Sequence, residues 1–149
     1  MPIKPENKER YPANWNDISA KVREEAGNKC EVCGVSNHAI GNRDAEGEFI
    51  PVAGNAMYDC YGQGLDYPSL QMLPYKKARE IVDWNNLHDE CGVRYIVIVL
   101  TVAHLDHNPE NCERSNLKAM CQRCHNRYDR EHRNQTRRET KMAGQLELF

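Results

Sequence analysis

The stretch Leu100–His132, LTVAHLDHNPENCERSNLKAMCQRCHNRYDREH, decides the fold. It gathers four His, two Asp and the pair Cys121-x-x-Cys124 into one short segment. The apolar run that feeds it, Tyr95–Ala103 (YIVIVLTVA), is β-branched and continuous. That composition predicts one strand buried on both faces or nearly so. Asp106–Ser115 is rich in Asn, Pro and Asp and reads as a loop, with Asn116–Met120 as a short second strand. From about Gln122 to Thr140 the pattern is helical, with dense Arg and Glu. His125 and Asp129 are four residues apart, so one helical turn sets both on one face. An imidazole and a carboxylate at that spacing form a plausible half of a metal site. His132 falls one turn further on the same side and could touch an ion or a phosphate.

Working outward, a second pair stands near the other end of the chain: Cys30-Glu31-Val32-Cys33, followed by Gly34. It reads as a zinc knuckle, whose turn needs a small residue after the second Cys so that backbone N–H groups can point at the thiolates. Two such turns, Cys30/Cys33 and Cys121/Cys124, complete a tetrahedral all-thiolate zinc site. A closed site of this kind is structural, with no position left for substrate. It would pin the N-terminal knuckle to the Leu100–His132 stretch. The other cysteines, Cys60, Cys91 and Cys112, read as buried small hydrophobes or surface thiols.

A helix is predicted from about Asp17 to Ala26, capped by Asn16 or Asp17, with Ile18, Val22 and Ala26 on one face and Gly27-Asn28 as the stop. Residues 1–13 are Pro-rich and charged and read as an extended arm clasping the body through Tyr11, Pro12 and Trp15. Residues 35–94 separate the knuckle from the strand. They offer a weak hairpin signal near Gly47, a helix over Tyr75–Leu87 with Ala78, Ile81, Val82 and Asn85 on one side, and a turn at Cys91-Gly92. The C-terminal residues 142–149 leave the last helix at Gly144 as a flexible tail.

The chain has 149 residues, which suits one domain, and a net charge of −2. There is no global basic field, so nucleic acid must be met by a local patch. The polar start MPIKPENKER carries no apolar signal segment, and a reducing, cytoplasmic compartment is expected, where Cys-x-x-Cys pairs bind metal or do redox work. A thiol oxidoreductase is disfavoured because neither pair sits in a βαβ context. No run is long enough to span a membrane.

Val102-Ala103-His104-Leu105-Asp106, then Asn108-Pro109, Asn116-Leu117 and Cys121-x-x-Cys124-His125 resemble the HNH endonuclease motif. The resemblance is close over His104–Asp129 and looser towards the first knuckle. It implies an α+β fold with a ββα-metal core around one divalent ion, stapled by the four-cysteine zinc site, with an N-terminal helix and a helix-containing insertion. It further implies His104 as general base, Asn116 as the residue that hydrogen-bonds across the loop to hold the base strand, and His125 as metal ligand. The family usually places Asp or His immediately before the base, where this chain has Ala103. Either Asp129 supplies that ligand from the helix, or the register shifts and Asp106-His107 is the ligand–base pair. Turn capping is the other role open to Asp106.

The chemistry asks for these residue types on its own account. Phosphodiester hydrolysis needs a water deprotonated on one side of phosphorus and a leaving oxyanion stabilised on the other. A neutral His serves as base near pH 7, and a divalent ion (Mg2+, Mn2+ or Ni2+) supplies the positive charge. Arg123, Arg127, Arg130 and Arg133, with Arg137, Arg138 and Lys141 beyond, load the last helix for DNA phosphates. The terminal Gln145-Leu146-Glu147-Leu148-Phe149 resembles the bacterial sliding-clamp-binding peptide, which seats its last apolar residues in a pocket. The expectation is a metal-dependent DNA endonuclease of a bacterial or phage-infected cell, nicking or cutting both strands. The alternative is a zinc-stapled DNA- or clamp-binding module without catalysis.

Overall fold

A computed structural model describes residues 5–52, 57–59, 61–65 and 73–146. The fold is mixed helix and sheet. After a 3-10 segment (Pro5–Arg10) come α1 (Trp15–Glu25), β1 (Ile40–Arg43), β2 (Phe49–Pro51), β3 (Met57–Tyr58) and β4 (Gly64–Leu65). Then follow α2 (Tyr75–His88), β5 (Ile96–Val97), β6 (Leu100–His104), β7 (Leu117–Cys121), α3 (Gln122–Tyr128) and α4 (Arg130–Leu146). No helix among the described residues is long and apolar enough to cross a membrane.

The centre is the antiparallel hairpin β6–β7, in the register Leu100↔Cys121 through His104↔Leu117. Side chains alternate across such a pair. Val102, Leu117 and Ala119 form one cluster with Val22 of α1 and with Trp15 and Ile18. Ala103 and Met120 pack in a second cluster with Cys30, Cys121 and Cys124. Ala103 is fully buried there. The hairpin is therefore covered by α1 on one side and by α3 and the knuckle on the other. A third cluster joins the 35–94 segment to β5: Ile40, Val52, Met57, Ala78, Ile81 and Val82 with Val97. The hairpin expected near Gly47 is β1–β2, pairing Arg43↔Phe49 around a turn in which Gly47 has φ 82°. In α2 the buried residues are Ala78, Ile81, Val82 and Asn85, the face expected of them.

Five expectations are corrected. Tyr95–Ala103 is two strands. β5 pairs with β1, whereas β6 pairs with β7, and the chain changes partner at Ile98 and Val99. Ile98 is held at the bend through Ala39, and the Leu100 N–H donates to Asn37 Oδ1. The helix expected over Gln122–Thr140 flattens at Asp129 (ψ −3°), although the i→i−4 bonds on either side are kept. It also runs through Gly144 to Leu146. One glycine costs a helix only about 1 kcal/mol, and fourteen residues precede this one. Pro5–Arg10 is a 3-10 turn where an extended arm was expected. Finally, α1 begins two residues early, so Asn16 and Asp17 lie within it, and Asn14 holds the cap position without a side-chain bond.

Candidate functional site

The four cysteines meet as their spacing suggests. Their sulfurs all lie within 4.8 Å of one another, the one such group of metal-binding side chains among the described residues. A tetrahedral Zn–S distance of about 2.3 Å requires sulfurs about 3.8 Å apart. Cys33 Sγ and Cys121 Sγ are 3.8 Å apart. Gly34, at φ 76°, makes the knuckle turn, and its N–H donates to the Cys30 carbonyl. Burial opposes ionisation of Cys30, but N–H groups of Cys121, Cys33 and Val32 outweigh it and bring the thiol down to about 7. Burial and the neighbouring sulfurs push Cys124 strongly up. Four thiolates this close would repel one another, and the cluster could hold a structural metal such as zinc to supply the opposing charge. Cys91 is exposed and Cys112 half-buried; Cys60 lies outside the described residues.

The loop after β6 is held by its own side chains. Asn116 Nδ2 donates to Asp106 Oδ1 (2.9 Å) and to the Asn111 carbonyl (2.8 Å), and Asn116 Oδ1 accepts from the Asp106 N–H (3.0 Å). Asp106 also accepts from the Asn108 N–H and Asn111 Nδ2. Those bonds hold its carboxyl at about 2, the Asn108 N–H contributing most. Its oxygens are thus engaged in capping the turn.

Out of this loop His107, with φ 57°, turns back to the helix. A left-handed histidine is uncommon enough to mark a constrained position. Its Nδ1 lies 3.4 Å from Asp129 Oδ1, and its ring stacks on His132 at 4.2 Å. The other carboxylate oxygen, Asp129 Oδ2, is 3.1 Å from His125 Nε2, and Arg133 closes in at 3.8 Å. His125 Nδ1 meets Thr101 Oγ1 at 2.7 Å, and that hydroxyl also reaches the Met120 carbonyl at 3.3 Å. The imidazole is thus held between the Thr101 hydroxyl at Nδ1 and the Asp129 carboxylate at Nε2, and in the tautomer protonated at Nδ1 the Nε2 lone pair would be available to a cation shared with Asp129. A metal–ligand distance of about 2.1 Å spaces adjacent octahedral ligands about 3.0 Å apart, close to the separation seen. Burial pushes the His125 pKa down, which favours the neutral, ligating form.

His104 lies on the other face of β6, with Val102 and α1. It is 8% exposed, stacked on Trp15 at 4.8 Å and edge-on to Tyr11 at 5.7 Å. Its Nε2 is 3.7 Å from Cys112 Sγ, and burial lowers its pKa. The N-terminal segment is locked over it, with Arg10 bound to Glu110 and Asn108. Arg123 is tied to Glu48 and the Glu46 carbonyl, and Arg133 to Asn126. Gln145 is exposed at the end of α4, whereas Leu148 and Phe149 lie outside the described residues.

Sequence reading overlooked Thr101. The signal was present, since period-2 alternation puts Thr101 beside Ala103 on the helix-facing side of β6. No protein-family model, curated protein or solved structure matches the chain.

Proposed function

We propose that this chain is an HNH-type endonuclease that hydrolyses DNA phosphodiester bonds with one divalent ion. The observation that carries the reading is Asp129, whose two oxygens face two imidazoles from different elements, His107 of the loop and His125 of the helix. His125 Nε2 and Asp129 Oδ2 would hold the ion. The ion, when bound, supplies positive charge for the phosphate and leaving oxygens. Asp129 Oδ1 orients His107 through Nδ1, which leaves His107 Nε2 free to take a proton from the attacking water. Asn116 is a positioning residue: it fixes the loop that carries His107.

Two histidines compete for the role of base. Burial under Trp15 and Tyr11 argues against His104, and the contact with Asp129 supports His107, the base of the register-shifted alternative, although that alternative's ligand, Asp106, is engaged in capping the turn. Ala103 has no donor atom to offer a metal. The test is plasmid DNA incubated with the zinc-loaded protein and Mg2+, Mn2+ or Ni2+. Metal-dependent cutting that survives His104→Ala and fails in His107→Ala supports this assignment. The reverse pattern makes His104 the base, and no cutting with any metal ends the enzyme reading in favour of a binding module. Recruitment by the sliding clamp is a separate proposal on Gln145–Phe149; it fails if deleting those residues leaves clamp pull-down unchanged.

A further inference from the structure

Opposite the histidine cluster, the structure has a cavity of about 660 Å3 that the reaction does not use. Its walls come from separate parts of the chain: Arg43 of β1, Arg79 of α2, and Arg123, Asn126, Arg127 and Arg130 of α3 and the start of α4. Residues 96–99, where the chain changes sheets, complete it. Five arginines and no carboxylate line this space in a protein whose net charge is −2. Two of the five are compensated, Arg79 by Asp83 and Arg123 by Glu48. Arg43 is braced on the Gly47 carbonyl and over the Phe49 ring, contacts that fix it without neutralising it. Arg127 and Arg130 have no acidic partner among the described residues. The site therefore concentrates uncompensated, partly preorganised positive charge.

The lining also indicates which anion. It contains no aromatic ring to stack on a base, and so offers nothing to the nucleobase of a free nucleotide. Guanidinium groups suit phosphate oxygens. On the helix, Arg123, Arg127 and Arg130 are spaced to share one side, with His125 and Asp129 on the other. A ligand occupying both sides must be long enough to pass around the helix. We infer that the Arg43–Arg79–Arg127–Arg130 pocket holds the sugar–phosphate backbone of DNA away from the bond to be cut, and that the 35–94 segment exists in part to build it. This rests on the nuclease reading for its choice of polymer, but the pocket can be tested without cleavage.

The experiment is fluorescence anisotropy of a labelled DNA duplex with zinc-loaded protein, over a salt series and without added divalent ion. Each phosphate contact contributes about 0.9 to the slope of log affinity against log salt. Arg79→Glu and the double variant Arg127→Ala/Arg130→Ala should weaken binding, the latter lowering the slope by roughly two. Lys77→Glu, the same charge change on an exposed residue outside the lining, should do neither. Wild-type affinity and slope in Arg79→Glu and in the double variant overturn the inference, as does equal weakening by Lys77→Glu. Pocket-dependent binding by a protein that cuts nothing would sink the nuclease reading and leave the pocket standing. Cutting by wild type, with binding indifferent to the arginine variants, would do the opposite.

Discussion

Thr101→Val isolates the link between the β6–β7 hairpin and the His125–Asp129 face of α3. Valine matches threonine in shape, so the strand keeps its packing and the change removes one hydroxyl. That hydroxyl makes the 2.7 Å contact to His125 Nδ1, and a weaker 3.3 Å contact to the Met120 carbonyl. The net worth of one such bond is about 1 kcal/mol, which for a chain of this size lowers the melting temperature by about 2–4 °C. The functional cost should be much larger than the structural one. Loss of an outer partner of a metal-binding histidine typically lowers metal affinity or activity about 10–100-fold. The assay is the rate of plasmid nicking against Mn2+ concentration, with zinc content confirmed beforehand. The half-saturating Mn2+ concentration should rise by about that factor in Thr101→Val, and Thr101→Ser, which keeps the hydroxyl, should stay near wild type. An unchanged Mn2+ dependence in Thr101→Val would refute the idea that Thr101 prepares His125 for a metal.

Other perturbations separate the remaining parts. Asn116→Ala frees the loop that presents His107, so cleavage should fall on the order of a hundredfold from misplacement. The Asp106 carboxyl should rise from about 2 towards its ordinary value, as followed by NMR titration. His104 has a folded pKa below its unfolded one, so the unfolded chain binds more protons below about pH 6.5. Its contribution to stability is present above that pH and is lost as pH falls through it. Urea unfolding of His104→Phe between pH 7.5 and 5.5 should show a shallower decline than wild type. Cys33→Ser, at the one exposed thiol of the four, should abolish stoichiometric zinc on elemental analysis and lower the melting temperature. Retention of one zinc per chain would mean that Cys33 is not a ligand.

The zinc residues and the cluster residues were legible because each is a short spacing with a direct geometric meaning. Two thiolates on one turn, and His125 with Asp129 one helical turn apart, need no tertiary information. Where the elements stop was harder to read. Tyr95–Ala103 is apolar throughout, and an apolar run does not record that its first half pairs with β1 and its second with β7. Alternation along β6 puts His104 on the α1 side with Val102, but its burial there depends on Trp15, almost ninety positions away in sequence. Local pattern placed both His104 and His107 near the site, but only the packed arm and the left-handed turn at His107 tell them apart. Arg43 and Arg79 carried no signal at all, because a pocket made by three distant elements has no linear motif.

The proposed divalent-ion site, His125 and Asp129 with His107 oriented by the same carboxylate, would be separate from the four-cysteine cluster. Calorimetric titration of Mn2+ into the zinc-loaded protein tests for it. One Mn2+ should bind per chain, the site should vanish in Asp129→Ala and His125→Ala, and it should survive His104→Ala. Mn2+ binding that is absent in wild type, or undisturbed by Asp129→Ala, would contradict it.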